Sequence, residues 1–593
     1  MTLHHPYRIW IRLMDMKRIR RHPSPVQDPN PDPESDGFLR NAVSEKRAAT
    51  TAGGGSPAGL RRLAAVFAIA VLMLLSLLVL LPRAGLSLDR FVGASVEKEG
   101  FRVVFHEEGG PPKSSNASKD KLLGGLLIDE FDESSCLSRY QSAMFRKVSP
   151  HIPSPYLLKR LRRYEALHKK CGPGTELYNK IVDQLKSGQY VGNAECNYIV
   201  YISYSGLGNR ILTLASTFLY SLLTDRVLLV DHGGDLADLF CEPFPETSWL
   251  LPLDFPVNQF SSFEKESPES YGNMLKNNVF ANSGDGDPKV KIPPYIYLHL
   301  AHDYGDHDKL FFCDEDQLLL QKIPWLVLRS DNYFVPSLFL MPEYEEELHR
   351  LFPQRDTVFH HLGRYLFHPT NSVWGLVKRY YLAYMAKADE RVGIQIRVFE
   401  MEPGPFQHVF DQLLACVQKE KLLPDVTPEE PVNQTAYIRS KAILVTSLNS
   451  GYSEKLRNMY WENSATNGEI ISVNQPSNEE SQQTQKQMHN RKAWAEMYLL
   501  SLTDSLITSA WSTFGYVAQG LAGLKPWILF KPENRTVPDP ACRRVMSMEP
   551  CFHAPPFYDC KAKRGVDTGA LVPYVRHCED MSWGLKLVDQ DEW

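Results

Sequence analysis

The chain has 593 residues, about four times the ~150 residues of an average domain, so one compact core does not account for it. Its 43% hydrophobic, 11% aromatic and 23% charged residues exclude a largely disordered, collagenous or small disulfide-scaffold protein. The net charge of -5 divides unevenly: residues 1–62 hold eleven Lys/Arg against six Asp/Glu, and the remainder holds 54 against 64. A mildly acidic body argues against a nucleic-acid partner, whose affinity comes largely from Lys/Arg contacts to phosphate.

Residues 1–62, with Pro23, Pro25, Pro29, Pro31, Pro33 and the run Gly53-Gly54-Gly55, read as a disordered tail. Leu63–Leu81 is nineteen residues with Ser76 as the only polar one, bounded by Arg61-Arg62 and Pro82-Arg83. A helix of that length spans about 28 Å, close to the ~30 Å hydrocarbon core, which predicts one transmembrane helix. The basic tail then faces the cytoplasm and residues 83–593 face a lumen, a single-pass type II signal-anchor arrangement. Residues 82–125, with Gly109-Gly110-Pro111-Pro112, read as a stem. All ten cysteines lie beyond the membrane run and none forms a Cys-x-x-Cys, so disulfides in an oxidising lumen are their expected use, with the connectivity open. The sequons at Asn116, Asn433 and Asn534 lie on the same side and predict lumenal glycosylation.

The globular part starts near Leu126. Tyr198–Ser203 reads as a strand, Ser205–Arg210 as a Gly-rich turn, Ile211–Thr224 as a helix and Arg226–Asp231 as a buried strand, together a βαβ unit. The alternation returns more fully further on. Strands are expected at Val392–Val398, Ala442–Leu448, Glu469–Val473, Leu506–Ser509 and Pro526–Phe530, with helices at His408–Lys419, Ser453–Glu462, Gln485–Leu502 and Ser512–Ala522 between them. Such alternation implies parallel sheets covered on both faces, so two doubly wound α/β halves, 126–390 and 391–593, are expected to face a cleft.

Gly206-x-Gly208-Asn209-Arg210 follows a strand and opens a helix, where backbone N–H groups and an Arg favour an anion; a tight turn needing only glycine's freedom is the alternative. Arg397 ends the strand Val-Gly-Ile-Gln-Ile-Arg, where open α/β sheets bind ligands; a salt bridge to Glu400 or Glu402 is its alternative. Ser512 and Thr513 either cap the next helix or donate hydroxyls to phosphate. Asp331, just past the apolar run 323–328, is placed to accept a sugar hydroxyl or its proton, or to cap the turn. Asp-x-Asp pairs occur at Asp285/Asp287, Asp306/Asp308, Asp314/Asp316 and Asp589/Asp591. None ends a convincing strand, so solvated carboxylates, and no metal, are expected there.

Taken together, Gly-Leu-Gly-Asn-Arg-Ile at 206–211, Val-Gly-Ile-Gln-Ile-Arg at 392–397, Ser-Thr-Phe-Gly-Tyr-Val at 512–517, Asp238–Phe244, Ser248–Pro252 and Asp331-Asn332-Tyr333-Phe334 resemble the plant fucosyltransferases of glycosyltransferase family 37. The resemblance spans about residues 126–593 and implies a Golgi type II enzyme with a GT-B-like fold of two Rossmann-type domains, 126–390 on the acceptor side and 391–593 on the GDP-fucose side. It implies transfer of L-fucose from GDP-fucose, with inversion and α-1,2 linkage, to a galactose hydroxyl of a cell-wall glycan, xyloglucan first among them, with no cofactor or required metal. Arabinogalactan or another galactose-bearing acceptor, and a membrane-tethered glycan-binding protein without turnover, are the alternatives. Carried over, Arg397 would neutralise the leaving diphosphate. Gly206, Gly208, Asn209 and Arg210 would border the donor phosphates, Ser512, Thr513, Phe514 and Tyr516 would line the nucleotide, and Asp331 would contact the acceptor and serve as candidate base.

Overall fold

The first sheet forms because four short runs, each apolar at nearly every position, can only be buried on both faces. The computed structural model describes residues 120–188, 195–257, 259–280, 293–399, 404–429 and 438–589. The expected cytoplasmic tail and membrane helix, nearly all of the expected stem and the sequons at Asn116 and Asn433 lie outside the described residues, as do Asp285, Asp287, Asp591, Glu400 and Glu402. Among the described residues no helix is long and apolar enough to cross a membrane.

Helices α1 (Pro155–Cys171) and α2 (Glu176–Ser187) lead into β1 (Asn197–Ile202), α3 (Leu207–Thr224) and β2 (Arg226–Val230). Strand β3 (Tyr295–His299), helix α4 (Asp314–Leu320) and strand β4 (Trp325–Arg329) complete an all-parallel sheet of order β2-β1-β4-β3. Helices α5 (Val358–Leu366) and α6 (Asn371–Tyr384) then connect to the second half.

That half contains β5 (Glu390–Ile396), α7 (Gln407–Lys419), β6 (Ser440–Ser447), α8 (Gly451–Glu462) and β7 (Ile470–Asn474). It continues through α9 (Gln487–Leu500), β8 (Ser505–Ser509), α10 (Thr513–Ala522), β9 (Trp527–Leu529) and β10 (Cys542–Arg544). The sheet order is β10-β9-β8-β5-β6-β7, parallel except for β10, so its first five strands follow the Rossmann order with β5 and β8 adjacent at the point where the order reverses. The expected strands and helices of this half are all present, with ends shifted by two residues or fewer. Arg397 consequently stands one residue past β5 rather than within it.

Helix α3 is the hub. It is buried from Leu207 to Leu222 except at Asn209, although it carries Ser216, Thr217 and Ser221. Those hydroxyls are satisfied within the helix, on the carbonyls of Leu212, Thr213 and Thr217 at 2.8–2.9 Å, so their burial leaves no polar group unpaired. One apolar core joins α3 to α5, α6, α9, α10 and residues of both sheets. A second fills the space between α7, α8 and the outer face of the larger sheet, and a third lies under α2 on the smaller sheet.

All ten cysteines pair: Cys136–Cys241, Cys171–Cys196, Cys313–Cys560, Cys416–Cys542 and Cys551–Cys578. Beyond β10 the chain returns to the smaller sheet. Cys560 reaches Cys313, Tyr304 donates to the Ala554 carbonyl at 2.8 Å, and Glu549 accepts from the Tyr333 hydroxyl at 2.5 Å and the Phe359 N–H at 2.7 Å. Glu549 is fully buried, and desolvation pushes its carboxyl from an ordinary 4.5 up to about 8 in spite of those two donors.

This burial sets a pH dependence. The unfolded chain releases the Glu549 proton near 4.5 and the folded chain only near 8, so this group's contribution to stability is full below about 4.5 and is lost as pH rises toward 8. Glu549→Gln, an isostere of the protonated form, is expected to show a smaller fall in Tm between about pH 5 and pH 8 than the native chain. Parallel Tm profiles for the two proteins would contradict it.

Candidate active site

Each sheet offers a crevice where its strand order reverses, and in each the following helix begins there. In the smaller sheet β1 and β4 flank the reversal, so the loop 203–206 and the segment 330–334 share one crevice. In the larger sheet β5 and β8 flank it, so Arg397 and the loop 510–512 share the other. Ligands of open α/β sheets occupy such crevices.

Both loops turn through a left-handed residue just before the helix cap: Ser205 at φ 67° before Gly206, and Trp511 at φ 62° before Ser512. For a non-glycine this conformation costs on the order of 1–3 kcal/mol and is held only by its surroundings. The surroundings are visible at Trp511, whose N–H donates to Asp580 Oδ2 at 2.9 Å and whose indole N–H donates to the Asp580 carbonyl.

The two turns aim the N-termini of α3 and α10 at each other. A Cβ on Gly208 would stand 2.6 Å from Thr513 Oγ1, 2.8 Å from the Thr513 carbonyl carbon and 3.0 Å from the Phe514 nitrogen. Only a glycine allows that approach. Thr513 donates to Asn209 Oδ1 at 2.9 Å, and Asn209 Nδ2 donates to the Asp331 carbonyl at 2.8 Å, so the three segments are stitched together. Beside them Arg397 anchors its backbone N–H on Ser509 Oγ at 2.9 Å and donates from Nη2 to Gln482 Oε1 at 3.0 Å. Burial lowers its pKa, and among the described residues no carboxylate pairs with it. Two helix N-termini and a half-buried guanidinium thus converge, an arrangement that favours an anion with several oxygens.

Asp331 is buried and both carboxylate oxygens are engaged. Oδ1 accepts from the His302 N–H at 2.9 Å and from Asn332 Nδ2 at 3.0 Å, and Oδ2 lies 2.6 Å from His302 Nδ1. The carboxylate keeps the proton of His302 on Nδ1, which makes Nε2 the basic nitrogen. Nearby, Tyr516 is buried and donates to Asp580 Oδ2 at 2.5 Å, with His553 Nε2 3.3 Å from the same hydroxyl. Desolvation holds His553 below its usual pKa against the pull of Asp580 and Asp331.

The remaining sequence candidates are placed as follows. Ser512 caps α10 by accepting from the Gly515 N–H, and Phe514 is half-buried in the first turn of α10. Arg210 is buried beside Tyr201 and Asp231, with the Tyr201 hydroxyl donating to its carbonyl at 3.1 Å. Asn534 is exposed. Asp314 and Asp316 occupy the first turn of α4, where acidic residues meet the helix dipole, and Asp316 accepts from Tyr271; Asp306 pairs with Lys309 at 2.8 Å. Cys551, Cys578 and Asp580 come together, but the cysteines are joined as a disulfide and offer no thiolate to a metal.

His302, His553, Gln482 and Asp580 escaped the sequence reading. For His302 a signal existed in Tyr295–His299, an apolar run ending in His, with His302 three residues on; strand β3 was not recognised there. Gln482 lies in a polar stretch with no periodicity, and no local pattern marks it.

Two parallel sheets meeting at paired strand-order reversals define a mixed α/β glycosyltransferase fold. It is similar to the solved structure of an Arg-to-Lys variant of the Arabidopsis thaliana fucosyltransferase FUT1 in complex with GDP, with TM-score 0.73 and 64% identity, covering 79% of this chain and all of that one. Residues 93–561 match the family model described as xyloglucan fucosyltransferase, and the chain belongs to that family. It is 67% identical over 472 residues to the galactoside 2-alpha-L-fucosyltransferase of Pisum sativum, covering 79% of this chain and 82% of the relative. With the protein of the same name from Arabidopsis thaliana it shares 65% identity over 479 residues, covering 80% and 85%.

The close approach of α3 and α10 makes Gly208 a sensitive probe. Gly208→Ala must push Thr513 and Phe514 aside, an overpacking cost of about 1–3 kcal/mol. A Tm lowered by several degrees and activity reduced at least tenfold are expected. An Ala variant with native Tm and turnover would show that the contact is not required.

Proposed function

We propose that the chain transfers L-fucose from GDP-fucose to the 2-hydroxyl of a galactose residue in xyloglucan, with inversion and without a required metal. What carries this reading is the meeting of Arg397 with the N-terminal ends of α3 and α10, at two strand-order reversals, in a chain about two-thirds identical to named fucosyltransferases. The smaller sheet, within 126–390, serves the acceptor and the larger, within 391–593, the donor, in a GT-B-like arrangement.

In this reading Gly206, Gly208, Asn209 and Arg210 at the start of α3, and Ser512, Thr513 and Phe514 at the start of α10, border the diphosphate. Tyr516 shapes the wall through Asp580 rather than stacking on the base, because it is buried and its hydroxyl is committed. As the bond between fucose C1 and the phosphate oxygen breaks, negative charge grows on GDP, and Arg397 strengthens its hold at that moment. The galactose hydroxyl attacks the opposite face of the sugar and inverts the anomeric centre. Its proton passes to the Asp331–His302 pair; both carboxylate oxygens are already engaged, which makes Asp331 the orienting partner and His302 the acceptor of the proton.

Incubation of the full chain with GDP-fucose and a panel of galactose-bearing acceptors, with and without EDTA, tests the reading. Fucose is expected on xyloglucan oligosaccharides in α-1,2 linkage and unaffected by EDTA. Transfer confined to arabinogalactan, or activity lost to EDTA and restored by Mn²⁺, would overturn the acceptor or the metal-free assignment respectively. Arg397→Lys should lose 10²–10³ in turnover, roughly 3–4 kcal/mol of transition-state stabilisation, with its Tm preserved, because a point charge does not reproduce the bidentate guanidinium. A Lys variant with near-native turnover would remove Arg397 from this role.

The same proposal places the chain in the Golgi membrane, anchored by 63–81 with the catalytic part lumenal. The exposure of Asn534 and the complete pairing of the cysteines support it. Glycosidase treatment of membrane-expressed protein is expected to shift its gel mobility; no shift, together with a protease-protected N-terminal tail in sealed vesicles, would reverse the topology.

A further inference from the structure

Between β7 and α9 the chain runs as a polar strap, residues 475–486, beside both crevices. Its ends are fastened. Gln475 Nε2 donates to the Ser447 carbonyl at 3.0 Å, Ser477 bonds Glu496, Glu479 meets His489 Nδ1 at 3.0 Å as well as Lys492, and Asn490 Nδ2 donates to the Thr484 carbonyl at 2.9 Å. Its middle is exposed and carries Gln482. Gln482 Oε1 accepts from Arg397 Nη2 at 3.0 Å, and Gln482 Nε2 lies 3.1 Å from where a Cβ on Gly206 would stand. One amide side chain therefore reaches from the guanidinium of one crevice to the helix cap of the other.

The chemistry of that partner is informative. A neutral carbonyl directs a guanidinium without neutralising it, whereas an anionic oxygen forms a bond about twice as strong. Exchange of the amide for a phosphate oxygen is accordingly favourable. A carboxylate in the same place would pair with Arg397 and compete with an anionic donor, and an apolar residue would leave the half-buried guanidinium unheld.

We infer that Gln482 is a positioning residue of the donor site: it holds the Arg397 guanidinium toward the start of α3 as a neutral placeholder and yields its hydrogen bond to an oxygen of the nucleotide diphosphate. This rests on the reading of Arg397 as the diphosphate ligand. Gln482 acts through Arg397 and takes no part in bond breaking.

Calorimetric titration of the full chain with GDP, alongside steady-state kinetics with GDP-fucose, tests it on Gln482→Glu, Gln482→Ala, Arg397→Ala and the double variant Gln482→Glu/Arg397→Ala. Gln482→Glu is expected to weaken GDP roughly five- to tenfold and to raise KM for GDP-fucose similarly, with kcat within about twofold. Gln482→Ala, which leaves the guanidinium unheld but adds no competing charge, should weaken GDP about two- to fourfold, less than Gln482→Glu, and the Glu effect should shrink to about twofold or less once Arg397 is Ala. A merely structural role for the strap predicts neither the dependence on charge nor the dependence on Arg397. If Arg397→Ala weakens GDP while Gln482→Glu does not, or if Gln482→Glu weakens it equally in both backgrounds, the inference fails and the role of Arg397 stands. If Arg397→Ala binds GDP as the native chain does, the reading of Arg397 fails and the inference with it.

Discussion

Two helix N-termini, each carrying about half a positive charge, are brought to contact distance where Gly208 meets Thr513 and Phe514, with the Arg397 guanidinium close by. Like charges gathered at one junction repel, so it costs stability that the rest of the fold must supply. It is supplied by burial. Helix α3 is enclosed over most of its length and shares one apolar core with α10 and both sheets, so neither helix retreats without exposing that core. An anion entering there would meet the unmet electrostatic demand, which suits the junction to the donor role proposed above and makes it a strained element of the structure at once.

Several features hold the junction in register. The left-handed turns at Ser205 and Trp511 set the entry direction of each helix, and Asp580 holds Trp511 in place. Helix α9 ties the halves together from the side, through Asn490 to Asp235 at 3.1 Å and Arg491 to Asp238 at 3.2 Å, residues just beyond β2. On the opposite flank the segment after β10 returns to the smaller sheet through Glu549 and the Cys313–Cys560 disulfide. A disulfide closing a loop of 247 residues restricts the unfolded chain far more than a local bridge does. The two crevices are coupled in the same way, since Asn209 bonds both Thr513 and the Asp331 carbonyl.

The roles of individual candidates shifted once their neighbours were known. Asp331 reads in sequence as a lone carboxylate after an apolar run, and in the structure it is the buried partner of His302. Tyr516 reads as a residue at the start of a helix facing a nucleotide, and it is buried with its hydroxyl on Asp580. Ser512 accepts from the Gly515 N–H as a helix cap, and the Thr513 hydroxyl bridges to Asn209. Gly208 has a further reason to be glycine: its missing Cβ admits the facing helix, beyond the phosphate access or tight turn that its position at a helix start suggests.

By itself the sequence determined the first βαβ unit and the alternation that builds the larger sheet. Runs such as Tyr198–Ile202 and Ala442–Val445 are apolar without a gap, and α7 and α10 carry their own periodicity and punctuation, so strands, helices and the ends of strands where ligands gather follow from neighbours a few residues apart. The tertiary structure alone decided which strands lie side by side, which cysteines pair and which polar groups face Arg397 and Asp331. The reason is range. Asn209 and Thr513 are separated by 304 residues, and Arg397 and Gln482 by 85, and no local spacing records a contact made by closing a loop of that length.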